Sequence, residues 1–185
     1  MSVRIRLRWA VRVLLLAVAG GLLWGTRACS RWPQVYYMTG PSMEPTVRAK
    51  EYFVATGPVE RLTPGALVIF RYDDGDNVYH VLRRVAGLPG DTVALRDGAA
   101  FVNGRPMGWP FHIEVPAAWR SDYVRGGNLY TWGPAVVPAD SVLLLADTRD
   151  MLGFPDSRFI GPVAAASIEA IAKFTVWPRL FHGLR

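Results

Sequence analysis

Thr92-Val93-Ala94-Leu95-Arg96-Asp97-Gly98-Ala99-Ala100-Phe101-Val102-Asn103-Gly104-Arg105 is the stretch that decides the fold. Thr92–Leu95 and Ala100–Val102 are short runs rich in β-branched and aromatic residues. Arg96-Asp97-Gly98 lies between them, and Val102-Asn103-Gly104-Arg105 closes the second run. Asp-Gly and Asn-Gly between apolar runs are hairpin-turn signals, because both central residues of a type I′ turn need positive φ. The same grammar extends in both directions. Val35-Tyr36-Tyr37-Met38, Tyr52-Phe53-Val54-Ala55 and Ala66-Leu67-Val68-Ile69-Phe70 lie upstream. Ser141–Leu145 and Ile171–Val176 lie downstream, with Gly, Pro and Asp punctuating the gaps. Helical periodicity is absent from all of this. Many short strands with turn chemistry between them predict an all-β domain. Residues 106–134 hold several Pro, Gly and Trp residues without clean alternation and read as an inserted, partly structured excursion.

The amino-terminal end is different. From Trp9 to Gly25 the chain is apolar except for Arg12, at the lower limit of what spans a bilayer core of about 30 Å. Trp9 and Trp24 stand where interfacial aromatics stand, and Arg12 is near enough to the start to snorkel. Arg4, Arg6, Arg8 and Arg12 precede or enter the run, which puts the amino terminus in the cytoplasm. A cleaved secretory signal would share the basic start and apolar middle. Arg27, interrupting the small residues of Gly25-Thr26-Arg27-Ala28-Cys29, favours a retained anchor. The expected partition is a cytoplasmic basic segment at 1–8, one transmembrane helix at 9–26, and an extracytoplasmic domain at 27–185. The protein would sit single-pass in the plasma (inner) membrane with the lipid bilayer as a partner.

Composition narrows the function classes. With 51% hydrophobic and 19% charged residues, the chain has enough apolar surface to fold. Four of the positive charges behind the net +6 are the amino-terminal arginines, so the outer domain is only mildly basic, and no basic stripe with interleaved aromatics points to nucleic acid. Cys29 is the only cysteine, which excludes an intrachain disulfide and a thiolate zinc cluster.

Three segments can carry chemistry. In Gly40-Pro41-Ser42-Met43-Glu44-Pro45-Thr46, the glycine and prolines make a stiff turn-rich segment that can present the Ser42 hydroxyl in a fixed direction. A serine nucleophile still needs an activating base. In Arg83-Arg84-Val85-Ala86-Gly87-Leu88-Pro89-Gly90-Asp91, a strand ending in basic residues runs into a tight turn. Ala146-Asp147-Thr148-Arg149-Asp150 and Asp156-Ser157-Arg158 alternate Asp with Arg, as in a charge network that pins a loop.

Taken in order, these segments resemble the type I signal peptidase family. The carriers are Ser-Met-x-Pro-Thr at 42–46, Gly-Leu-Pro-Gly-Asp at 87–91 after a basic strand, Asp-x-Arg at 147–149 and Asp-Ser-Arg-x-x-Gly-x-Val at 156–163. Asn103-Gly104-Arg105 and Phe174-Thr175-Val176-Trp177-Pro178 add two more, and the apolar run precedes the serine motif as in the family. The resemblance implies antiparallel sheets on the outer face of the membrane. It also implies a serine endopeptidase that removes signal peptides from exported preproteins after small residues, with no metal and no cofactor. Ser42 would be the nucleophile and its backbone N–H an oxyanion donor, with Gly40 at the position of the family's variable second donor. Substrate would add a strand along Tyr36, Tyr37 and Met38, near Met43. Arg84, Asp147, Arg149, Asp156 and Arg158 would support the site, with Arg84 paired to Asp147.

One position departs from the family. Its general base is a lysine, and that position here is Arg83. Burial can make a lysine neutral near pH 7, but neutralising an ordinary arginine there would cost about 8–9 kcal/mol. The serine that orients the lysine is also missing from Asp150-Met151-Leu152-Gly153-Phe154-Pro155. Substitutes are His80, His112, Lys50 and Lys173, with His80 the first choice. On a regular strand its odd offset from Arg83 puts it on the opposite face. The alternative is a catalytically impaired paralogue that binds signal peptides or partners an active peptidase.

Overall fold

The computed structural model describes residues 33–109, 123–124, 127–149, 156–178 and 182–184. The apolar run at 9–25 and the arginines before it lie outside these residues. Among the described residues no helix is long and apolar enough to cross a membrane.

The described part is all-β and antiparallel. The larger sheet contains β1 (Gln34–Tyr37), β2 (Tyr52–Thr56), β3 (Leu67–Asp73), β4 (Val78–Gly87), β11 (Ser141–Leu145), β12 (Val163–Ala164), β13 (Ile168–Trp177) and β14 (His182–Gly183). Its order is β1-β2-β13-β3-β4-β11-β12, with β14 also on β13. The smaller sheet contains β5 (Thr92–Arg96), β6 (Ala99–Val102), β7 (Arg105–Pro106), β8 (Tyr123–Val124), β9 (Gly127–Asn128) and β10 (Trp132–Val136), in the order β7-β6-β5-β10-β9-β8. The two hairpin signals do what their chemistry requires: Asp97 and Gly98, and Asn103 and Gly104, all have positive φ.

Period-two alternation distributes the apolar residues over three cores. Leu67 and Ile69 of β3 join Leu82, Met38, Met43, Val47 and Phe53 in one cluster, while Val68 and Phe70 join Val81, Val85, Val142 and Leu144 in another. β3 is thus buried on both faces, which is why it reads as an unbroken apolar run. Leu143 and Leu145 of β11 turn the other way, into a third cluster with Val93, Leu95, Leu129 and Trp132.

One sequence expectation is corrected. The strand before Gly-Leu-Pro-Gly-Asp does not end at its arginines. It continues to Gly87, and Arg83 and Arg84 lie in its buried middle, each 1% exposed. Arg83 donates to Ser42 and Leu82, and Arg84 to Asp147, Gly65 and Thr46, all inside the protein, so the chain need not turn to bring them to water. The excursion expected at 106–134 as partly structured contributes segments to the smaller sheet. Gly127–Asn128 and Trp132–Pro134 belong to the smaller sheet, and Leu129, Tyr130 and Trp132 are core residues. Gly and Pro hide the alternation there, and β10 meets β5 through a register shift between Trp132 and Ala135. A four-residue helix, α1 (Ser157–Ile160), is capped by the Asp156 side chain accepting from the Arg158 N–H.

Candidate active site

The serine loop is fixed from outside as well as by its prolines. After β1 the chain turns: Glu44 N–H donates to Pro41 C=O and Val47 N–H to Met43 C=O, both at 2.9 Å. Met43 thereby points into the core, fully buried; it packs with Val47 and does not line the cavity beside Ser42. Thr148 latches the loop from the other side. Its N–H donates to Ser42 C=O at 3.1 Å, and its hydroxyl reaches the Pro41 carbonyl at 2.9 Å. Sequence reasoning passed over Thr148 as the variable residue of Asp-x-Arg.

Ser42 is 6% exposed. Its Oγ accepts a hydrogen bond from Arg83 Nη1 at 3.1 Å, and the same nitrogen donates to Leu82 C=O at 2.6 Å. Burial pushes the Arg83 guanidinium down to about 10, with Asp156 raising it, Arg158 lowering it and Asp147 raising it.

Arg84 points to a different job. Its Nε and Nη2 hold the two Asp147 oxygens at 2.7 and 2.6 Å, with both side chains buried. Thr46 completes the corner: its hydroxyl accepts from Arg84 Nη2 at 2.9 Å and donates to Asp147. Serine loop, β4 and third segment therefore meet in one buried network. A second pair lies beside it. Arg158 holds Asp156 through Nε at 2.9 Å and Nη2 at 2.8 Å, and Asp156 also accepts from the Ala146 N–H at 2.9 Å. Burial alone would raise the Asp156 carboxyl. The Arg158 charge and hydrogen bonds outweigh it and hold the carboxyl below its ordinary value. Arg149 donates to the carbonyls of Gly98 and Ala146 and lies over the Trp109 ring at 4.2 Å. Burial, with Arg158 next, lowers it to about 9.

A cavity of about 180 Å³ opens beside Ser42. Tyr36 and Tyr37 of β1, Met38 and Gly40 form one wall; His80 to Arg83 of β4 form the other, with Phe53 and Ile69 as the floor. A larger opening of about 650 Å³ near Met107 and Trp109 includes neither Ser42 nor Arg83. His80 shares the cavity with Ser42, but its Nδ1 is engaged by Glu169 Oε2 at 2.6 Å. β4 pairs with β3 without a break from Val78 to Arg84, so no bulge turns His80 toward the Arg83 face. Lys50 and Lys173 are exposed, and His112 lies outside the described residues. Among the described residues, no group of three or more His, Cys, Asp or Glu side chains is placed to hold a metal ion.

The all-β domain thus brings together a serine, a cation within hydrogen-bond reach and a narrow cavity. The family is identified by sequence. Residues 6–177 match the signal peptidase family, peptidase S26, and the chain belongs to that family. It is 30% identical over 149 residues to signal peptidase I of Bacillus amyloliquefaciens, covering 77% of this chain and 75% of the relative. Signal peptidase I of Leptolyngbya laminosa is 28% identical over 151 residues, covering 77% and 68%. Signal peptidase IB of Staphylococcus aureus is 28% identical over 155 residues, covering 77% of each. The crystal structure of a signal peptidase I from Enterococcus faecalis V583 aligns at 23% identity with a TM-score of 0.45, covering 62% of this chain and 98% of that one.

Proposed function

We propose that this chain is a serine endopeptidase that removes signal peptides from exported preproteins, anchored in the plasma membrane by residues 9–26 with residues 27–185 outside. Ser42 is the nucleophile and its backbone N–H an oxyanion donor. The reading rests above all on one observation, the 3.1 Å contact between Ser42 Oγ and Arg83 Nη1 at the end of a cavity between two strand edges. Substrate lies extended between those edges. β1 is the end strand of its sheet, and β4 is paired with β11 only from Arg84 to Gly87. Among the described residues, the stretch from Val78 to Arg83 therefore keeps one side without a strand neighbour, and an incoming peptide can pair with both edges.

Arg83 sets the rate. A guanidinium that titrates at about 10 is a cation at neutral pH, and roughly one molecule in a thousand has it neutral at pH 7. As a cation it favours the Ser42 alkoxide and the developing oxyanion electrostatically, but it cannot take the serine proton. Cleavage through Arg83 is therefore slow at pH 7 and rises about tenfold per pH unit toward pH 10. The same observation gives weight to the second reading, in which the chain binds signal peptides or partners an active peptidase at neutral pH. His80 is the less favoured base, because its Nδ1 is held by Glu169 and Arg83 makes the contact with Ser42.

The test is cleavage of a reporter preprotein by the purified full-length chain from pH 6 to pH 10.5, with Ser42→Ala as control. A rise with unit slope that Ser42→Ala abolishes supports the peptidase with Arg83 as base. A rise through a pKa near 6.5 transfers the base to His80. No cleavage at any pH, with signal peptide still bound, supports the binding reading. Topology is tested separately: alkaline phosphatase fused to the carboxy terminus is active if that end is outside.

A further inference from the structure

Thr148 holds both peptide units that flank Ser42. Its N–H donates to the Ser42 carbonyl at 3.1 Å. Its hydroxyl lies 2.9 Å from the Pro41 carbonyl and 3.2 Å from that of Glu44. The Pro41 carbonyl is held a second time, by the Glu44 N–H at 2.9 Å. Thr148 is itself clamped by its two neighbours. Arg84 grips Asp147 through Nε and Nη2 at 2.7 and 2.6 Å, and Arg149 donates to the Gly98 carbonyl at 3.1 Å. A β-branched side chain has little freedom at χ1, so the Thr148 hydroxyl has a fixed reach.

A peptide unit is planar, and in its trans form the C=O and N–H point in opposite directions. The bond between Pro41 and Ser42 is trans. A Pro41 carbonyl turned toward Thr148 therefore sends the Ser42 N–H the other way. Ser42 lines the cavity between β1 and β4, and Thr148 does not. Among the described residues nothing accepts from the Ser42 N–H. Gly40 has no side chain to supply a second donor. The direction of this one N–H then decides how well a negative oxygen beside Ser42 is met.

We propose that Thr148 is a positioning residue for catalysis: by holding the Pro41 and Ser42 carbonyls it aims the Ser42 N–H at the oxygen that becomes negative during peptide cleavage. The proposal rests on Ser42 being the nucleophile, as in the proposed function. When the serine oxygen adds to the scissile carbonyl carbon, the π pair of the C=O moves onto its oxygen and the serine proton passes to the base. A hydrogen bond aimed at that oxygen strengthens as the charge develops, and one turned aside does not. Thr148 therefore acts on the rate of cleavage and not on binding. Its action is separate from that of Arg83, which meets the Ser42 side chain, whereas Thr148 meets the backbone.

The test isolates the oxyanion without needing turnover. Ten-residue peptides labelled at the amino end, and ending in the aldehyde or in the alcohol of alanine, are titrated against the full-length protein in detergent by fluorescence anisotropy. The aldehyde can accept the Ser42 oxygen and form the tetrahedral oxyanion. The alcohol fills the same place without adding, so the ratio of the two dissociation constants reads the oxyanion alone. Thr148→Val, which keeps the shape and removes the hydroxyl, should cut the advantage of the aldehyde about tenfold and leave the alcohol within about twofold. Thr148→Ser, which keeps the hydroxyl, should retain most of the advantage. Thr148→Cys, with its weaker donor, serves if Thr148→Val does not fold. In reporter cleavage the Val variant should lose about tenfold in kcat with KM within about twofold and an unchanged slope against pH. An equal loss for aldehyde and alcohol, no loss, or a Ser variant as poor as the Val one overturns the proposal and leaves Ser42 as the nucleophile. Equal affinity of the unaltered protein for the two peptides, or no binding of either, overturns Ser42 as the nucleophile and this inference with it.

Discussion

Arg83 and Arg84 are adjacent, equally buried and on the same strand, yet they belong to different parts of the molecule. Arg84 grips a buried carboxylate through two N–H groups and ties β4 to the serine loop and the third segment. Arg83 donates to the hydroxyl of Ser42 and to a carbonyl of its own strand, and burial brings it down to about 10. The difference lies in the partner, not the residue type. A carboxylate makes a guanidinium part of the scaffold. A hydroxyl beside a cavity is what assigns it to the chemistry in the proposed function.

The comparison breaks most sharply at Ser42. Ser42→Ala should lower reporter cleavage by roughly a thousandfold or more at every pH, with the melting temperature little changed. Activity surviving it would remove the chemical half of the contrast. On the scaffold side, Arg84→Ala strands Asp147 without its cation and should cost about 3–5 kcal/mol of stability, whereas Arg83→Ala should cost clearly less. Equal melting temperatures for the two variants would erase the distinction. Arg83→Lys should raise cleavage at pH 7 about ten- to a hundredfold, because burial can bring an amine near neutrality. The gain is limited because no serine orients the amine.

The second pair sharpens the same point by pH. The folded Asp156 carboxyl lies below its ordinary value, so the folded state binds fewer protons than the unfolded one near that value. Its contribution is fully present above about pH 4 and is lost as pH falls through the folded pKa. Thermal melts from pH 7 to pH 2.5 should show that loss, and Asp156→Asn should flatten the acid limb. The smallest effect belongs to the far sheet. The Asn103 side chain accepts from the Thr92 N–H at 2.9 Å and donates to Asp91 at 2.8 Å. Asn103→Ala should cost about 1 kcal/mol and leave cleavage unchanged.

The strands and both Asx-Gly turns were legible because they depend on local rules, namely alternation and positive φ. The Gly127–Pro134 part of the smaller sheet was not, because a register shift and a glycine–proline pair break the period by which a strand is recognised. At the site, Ser42, Arg83 and the Arg84–Asp147 corner could be named from motif order. The inward turn of Met43 could not, since it depends on the loop's own hydrogen bonds. Thr148 and Glu169 were missed for a related reason. Each works by reaching across to another segment, and no spacing along the chain records that reach.

The open side of β4 opposite β1 has a consequence that precedes any side-chain preference. A chain entering between these edges must offer backbone N–H and C=O groups on both of its flanks at once. A helix has already spent those groups on itself, and a proline lacks one of them. In the proposed function the gap would therefore work as a gauge of backbone conformation. Helical and folded stretches of an exported protein would be turned away before any of their side chains is read, and only a locally unwound segment would reach the serine.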